Sequence, residues 1–244
     1  IGKKVFFISS FRRKIRSTVH ILNLGNKTTH ILNSLRNEAI NTWFDLGLFI
    51  DRFRDQASKS GIKVSKKTFD KRLEKGGIGF ITFYFTIDGI TVEVEKYAKT
   101  FKALYPNIPL HYIAGDIKSE AKELIPAYAY QKVIPEMDGF DNWALYDDFF
   151  KIKMERGSPA YNALIGKFWK EVLILVEKLG TYIEENNIRL LYLVNVCSNP
   201  GNVSLALATI IISESLGIPV INNNHDFYWE SGHRDVEIKS KNLK

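Results

Sequence analysis

The segment from Ile188 to Glu230, IRLLYLVNVCSNPGNVSLALATIIISESLGIPVINNNHDFYWE, constrains the fold more than any other part of the chain. Ile188 to Val196 is a near-continuous apolar run, the pattern of a parallel strand covered on both faces, and Ser198-Asn199-Pro200-Gly201-Asn202 breaks it with turn residues. Val203 to Leu216 is apolar almost all round, which predicts a core helix, and Gly217 is placed to end it. Ile218-Pro219-Val220-Ile221 opens a second strand whose carboxyl end carries Asn222, Asn223, Asn224, His225 and Asp226. The whole is one βαβ unit, and open α/β sheets bind ligands outside the carboxyl ends of their strands.

The same alternation extends upstream. Gly77 to Phe85 and Ile108 to Ala114 read as further strands, joined through a helix with Ile90, Val94, Tyr97, Phe101 and Leu104 on one face. A long helix is expected from Tyr161 to Asn186, with an irregular, aromatic and acidic stretch from Ala121 to Arg156 before it. Nearer the amino terminus, Ile31, Leu35, Ala39, Trp43, Leu46, Ile50 and Phe53 recur at helical spacing, predicting a single amphipathic helix from Thr29 to Gln56. A short basic helix, Lys66 to Glu74, and a strand from Lys3 to Phe11 complete the expected elements. The fold class is α/β, with a Rossmann-like parallel sheet, helices on both faces and a helical basic extension at the amino terminus.

Charge divides the chain. Residues 1 to 75 carry 17 Lys or Arg against 6 Asp or Glu, a balance of +11, and the remainder carries 17 against 21. A basic patch such as Arg12, Arg13, Lys14 and Arg16 attracts anionic lipid, phosphorylated ligands or nucleic acid through the same long-range field, or is simply a solvated surface. No nucleic-acid recognition motif accompanies it, so no nucleic-acid partner is expected, whereas contact with an anionic membrane surface stays open. One cysteine, Cys197, excludes an internal disulfide framework and suits a reducing compartment. With no apolar run of transmembrane length and no signal-peptide pattern at the start, the expected location is the cytoplasm.

Several chemistries lack their motif. The phosphate loop GxxxxGK[ST] is absent, and Gly76-Gly77-Ile78-Gly79 precedes a strand, where a dinucleotide fingerprint would follow one. No GxSxG elbow anchors serine hydrolysis, and His225, Asp226, Glu230 and His233 match no zinc spacing, so no metal site is expected. Two features remain. Gly89, in Asp88-Gly89-Ile90-Thr91, permits positive φ and close backbone approach at a helix amino terminus, which suits a diphosphate; Glu93 and Glu95 oppose an anion there, and a plain tight turn explains the loop equally. His225 and Asp226, followed by Tyr228 and Trp229, offer polar groups for sugar hydroxyls and aromatic faces for sugar C–H surfaces, or a satisfied strand-end histidine beside core aromatics.

Two stretches, GNVSLALATIIISESLGIPVINNNHDF from Gly201 and GIGFITFYFTIDGITVEVEKYAKTFKALYPNIPLHYIAGD from Gly77, together resemble the acceptor-side domain of GT-B glycosyltransferases. The likeness is strongest to the retaining family 4 enzymes, among them sucrose synthase and sucrose-phosphate synthase, and the two stretches cover roughly a third of the chain. The resemblance implies one half of a GT-B fold: residues 76–244 as a Rossmann-like acceptor-binding domain, residues 1–75 as an extension packing on it, and a carboxyl-terminal donor-binding domain absent from this chain. The family's Glu-x7-Glu donor signature is not found, since only SGHRDVEIKSKNLK follows Glu230. It implies transfer from a nucleotide-sugar donor to a hydroxylated acceptor with retention, the leaving diphosphate helping to take the acceptor proton. No cofactor is required, because the nucleotide-sugar is a substrate. By carry-over, His225 lies near the reacting sugar, Gly89, Ile90 and Thr91 near the donor diphosphate, and Asp226, Glu230, Gly201 and Asn202 near the acceptor. The isolated chain is expected to be inactive. A non-catalytic α/β module binding a sugar or nucleotide would keep the same strand-end cluster, and another Rossmann-type enzyme would need only a different cofactor loop.

Overall fold

A computed structural model describes residues 26–56 and 65–227. The expected strand Lys3 to Phe11, the patch Arg12 to Arg16, and Tyr228, Trp229, Glu230 and His233 lie outside the described residues. Three helices come first: α1 (Lys27–Arg36), α2 (Trp43–Gln56) and α3 (Lys66–Leu73). They are followed by β1 (Gly77–Ile81), β2 (Tyr84–Phe85), α4 (Gly89–Leu104), β3 (Leu110–Ala114), β4 (Asp116–Ile117), β5 (Tyr130–Val133), α5 (Tyr146–Phe150), α6 (Pro159–Glu185), β6 (Ile188–Val194), α7 (Val203–Leu216) and β7 (Val220–Asn223). Five strands form one parallel sheet in the order β5-β3-β1-β6-β7. The chain starts in the middle, winds outward through β3 and β5, then crosses to β6 and winds the other way. This is a Rossmann-like arrangement whose direction reverses between β1 and β6.

Alternation along the strands divides the core in two. Ile81, Ile113, Leu191 and Leu193 face one layer with α1, α2, α6 and α7, whereas Ile78, Phe80, Leu110, Tyr112, Leu190 and Tyr192 face the other with α3 and α4. Because both faces of β1 and β6 are buried, neither strand shows the polar alternation of a one-sided sheet. The helix over the α7 segment is set by its two ends: Asn202 accepts from Leu205 N, and Gly217 takes φ +65° at the close.

The expected helix from Thr29 to Gln56 is instead two. Thr42 Oγ1 accepts from Asp45 N at 3.2 Å, while Asp45 Oδ2 accepts from Thr42 N at 2.8 Å and Asn41 N at 3.0 Å. This reciprocal capping starts a new helix and interrupts the periodicity that a single helix would need. Both helices belong to the main core, with Leu32, Leu35, Leu46 and Phe49 in the α6 layer. Glu184 on α6 fastens α1 by accepting from Thr28 N at 2.7 Å and Thr28 Oγ1 at 2.5 Å. The strand expected from Gly77 to Phe85 divides at Thr82-Phe83 into β1 and β2, and β2 pairs with β4 as a short parallel extension. The stretch Ala121 to Arg156 contains an edge strand, β5, and a short helix, α5, beside its 3-10 turns.

His111 on β3 is buried, its Nδ1 3.0 Å from Tyr182 Oη and its ring stacked on Tyr130. Burial pulls its pKa down to about 4 from 6.5, so the folded protein keeps it neutral where the unfolded chain is protonated. The folded state therefore binds fewer protons between those values, and the contribution of His111 to stability is lost as pH falls from 6.5 towards 4. Urea denaturation across this window is expected to show a steeper loss of stability on acidification in the wild type than in His111→Phe. Equal slopes would contradict the buried neutral histidine.

Candidate functional site

The carboxyl ends of β6 and β7 meet the first turns of α4 in a chain of polar contacts. Asn195, the residue after β6, is buried and holds φ +59°. Its Oδ1 accepts from His225 N at 2.8 Å and Asp226 N at 3.3 Å, and its Nδ2 donates to Asp226 Oδ2 at 2.7 Å. This clasp fixes the path of the chain as it leaves β7. The His225 ring then reaches across to α4, where Nε2 lies 2.5 Å from Glu93 Oε2. Glu93 Oε1 accepts from Asn223 Nδ2 at 2.8 Å, and Asn223 Nδ2 also donates to Tyr192 Oη at 2.9 Å. Tyr97, one turn beyond Glu93, packs its ring 4.9 Å from that of Tyr192 and extends the network. Burial, then the Tyr97 contact, pushes the Tyr192 hydroxyl far above its ordinary pKa, so it stays protonated.

The residues expected to bind ligands fall into two groups. His225 and Asp226 stand together at the sheet edge, and the Gly89 loop lies one turn of α4 from Glu93, so the stretches that begin at Gly77 and at Gly201 converge here. Gly89 is the first residue of α4 under the cap Asp88, which accepts from Thr91 N at 2.8 Å, while Thr91 Oγ1 accepts from Thr86 N at 3.2 Å. Thr91 is fully buried and its polar atoms are occupied in this turn, leaving Gly89 and Ile90 as the residues with amide groups that the helix itself cannot satisfy. Gly89 does not use the positive φ that a glycine permits, and a Cβ there would meet nothing within 4 Å. The Asp88 carboxylate already occupies the amino-terminal end of the helix, where it competes with any diphosphate.

Gly201 and Asn202 have a different role from the expected acceptor contact. Asn202 is fully buried: beyond capping α7, its Nδ2 donates to Glu136 O at 3.0 Å and Asp138 O at 2.8 Å. Both hydrogens of its amide are spent on joining the loop after β5 to α7. Gly201 O accepts from Phe140 N, and a Cβ on Gly201 would lie 2.8 Å from Phe83 Cε2. Phe83 and Phe140, edge to face, thus fill the space by the β1–β6 reversal that a ligand takes in many open sheets. That shifts the open part of the edge towards β7 and α4.

Sequence reasoning missed Glu93 and Asn195 as the direct partners of His225, and Asn223, Tyr192 and Tyr97 as the residues that extend their network. A polar residue interrupting the apolar run Ile188 to Val196 was the visible sign for Asn195, and the i, i+4 pair Glu93 and Tyr97 was the sign on α4. Buried oxygens on Ser198, Asn199 and Asn224 have no protein hydrogen-bond partner among the described residues. Among those residues, no group of His, Cys, Asp and Glu is arranged to hold a metal ion, and no helix is long and apolar enough to cross a membrane.

Two substitutions separate the roles. Asn195→Gly keeps the left-handed backbone and removes the clasp, so amide exchange at His225 and Asp226 is expected to accelerate while the β6 core stays protected. Unchanged exchange there would show that the clasp does not hold the segment. Gly201→Ala is expected to lower stability by about 1–3 kcal/mol through overpacking against Phe83, as read by thermal unfolding; a neutral effect would mean that the space is slack. Comparisons with protein-family models, with curated proteins and with solved structures find no match to this chain.

Proposed function

We propose that this chain is the acceptor-side half of a retaining nucleotide-sugar glycosyltransferase, and that the β7–α4 edge binds a neutral, hydroxylated acceptor. The observation that carries this reading is the 2.5 Å contact between His225 and Glu93, which unites the two stretches resembling the family in one polar cluster. Glu93 fixes the imidazole by its Nε2 side, and Nδ1 has no hydrogen-bond partner among the described residues, so it is the ring atom offered to a ligand hydroxyl. The histidine side chain is 42% exposed, enough for a ligand to reach it. Asp226, anchored through one oxygen by Asn195, adds a second acceptor for hydroxyl groups.

Charge selects the ligand class. Asp88, Glu93 and Asp226 put three carboxylates along this edge, which disfavours a diphosphate and suits an uncharged polyol. The donor's diphosphate is then held mainly by a second, donor-binding domain, and the role first expected of Thr91 in holding it has little support. In such a pairing the acceptor hydroxyl attacks the donor's anomeric carbon, the diphosphate leaves, and the hydroxyl proton passes to the leaving group. His225 orients that hydroxyl.

Calorimetric titration of the chain with neutral mono- and disaccharides tests the binding half of the reading. Saturable binding is expected, weakened roughly tenfold, or ~1.4 kcal/mol, by His225→Ala or Asp226→Ala with melting unchanged. In the enzyme joined to its donor domain, His225→Ala is expected to cut transfer by roughly 10²-fold. Sugar binding without any transfer in that joined enzyme would favour a binding module. Equal sugar affinity in wild type and both variants would overturn the site.

A further inference from the structure

At the opposite edge of the sheet, where β6 and β7 begin, five cationic residues surround a cavity of about 300 Å³: Lys27 of α1, Lys71 and Arg72 of α3, Lys75 just beyond it, and Arg189 of β6. The turn from α7 into β7, Leu216 to Ile218, completes the lining. Among the described residues, no ion pair within 4.0 Å involves Lys27, Lys71, Lys75 or Arg189. Collecting like charges around one hollow costs repulsion that an isolated fold has no need to bear.

Helix ends account for only part of this clustering. Lys71 and Arg72 occupy the last turn of α3, where a cation complements exposed carbonyls. Lys27 sits at the first residue of α1, where the helix dipole disfavours a cation, and Arg189 projects from a strand, which has no comparable dipole. Glu184, the carboxylate near Lys27, has both oxygens engaged by the backbone and hydroxyl groups that open α1.

The cavity is also shaped in advance. A Cβ on Gly76 would collide with Arg189 Cγ and with Asn187 O, so the bare glycine gives the arginine stem its place over the turn. Arg72 Nη1 donates to Gly217 O at 3.3 Å, which anchors a second guanidinium beside the end of α7. Planar guanidinium groups with ammonium groups around them match the oxygens of a phosphoryl group.

We infer that this cavity binds the phosphoryl group of a small phosphorylated ligand. Its volume lies at the lower end of small-molecule sites, and a single hollow is matched to one anionic group, whereas a polynucleotide backbone calls for an extended basic stripe. The site is independent of the β7–α4 edge, from which the sheet separates it, and it takes an anion where that edge favours a neutral ligand.

Pyrophosphate is the probe, titrated by calorimetry at low ionic strength, where screening is weak. One saturable site is expected, with affinity reduced roughly tenfold by Arg189→Ala and by Lys71→Ala and left unchanged by Lys122→Ala, a surface position outside the cavity. Arg189 and Lys71 are exposed, so both variants are expected to fold, and melting curves check this. Cosedimentation with phosphatidylcholine vesicles, with and without phosphatidic acid, separates two sources of the same phosphate chemistry. Capture that needs phosphatidic acid and is lost in Arg189→Ala assigns the site to a lipid headgroup; pyrophosphate binding without capture assigns it to a soluble ligand. The inference is overturned if pyrophosphate shows no saturable binding, or if Lys122→Ala weakens it as much as Arg189→Ala does.

Discussion

Burial of β1 and β6 on both faces is the constraint on which the rest of the molecule depends. Strands that are apolar on both sides cannot stand at a solvent boundary, so two helical layers have to cover them, α3 and α4 on one face and α1, α2, α6 and α7 on the other. Backbone polar groups are satisfied along the sheet, and side-chain chemistry is displaced to its ends. Polar residues then gather at the carboxyl edge, where Asn223 ends β7 and Asn195 and His225 follow the strands. The amino edge collects cations from elements that meet there only because the sheet brings them together.

Filling the reversal point with Phe83 and Phe140 has a consequence for where a ligand can go. The glycine at position 201 admits an aromatic ring, and Asn202 locks the neighbouring loop by two hydrogen bonds while a third caps α7, so this part of the edge is core. Open polar surface remains between β7 and α4. There the Asn195 clasp holds His225 within reach of Glu93, an arrangement in which each carboxylate and amide orients the next. Positioning of that kind suits recognition of hydroxyl groups, whose bonds are directional and whose neutrality avoids the repulsion an anion would meet.

Local patterns in the sequence carried most of the architecture. The β6–α7–β7 unit was legible because its strand is uniformly apolar and its helix is bounded by Asn202 and Gly217, both of which act as caps. Thr42-x-x-Asp45 is also a local signal, but the apolar spacing runs straight through it, so periodicity alone predicts one helix where there are two. The strand β5 was missed for another reason: its residues are largely exposed at a sheet edge, so it has no apolar run to announce it. Non-local contacts were not legible at all. Glu93 and His225 are far apart in sequence, as are Lys71 and Arg189, and only the sheet's winding brings each pair to one place. The excess of positive charge before residue 75 was visible, but its meeting with Arg189 was not.

Amide NMR spectra recorded during titration with a neutral disaccharide test the central claim most directly, because they locate binding as well as detect it. Saturable shifts are expected at Glu93, Tyr97, Asn195, Asn223, His225 and Asp226, with the residues around Arg189 undisturbed. Shifts centred on the basic cavity, or none at the β7–α4 edge while the sugar binds, would contradict it.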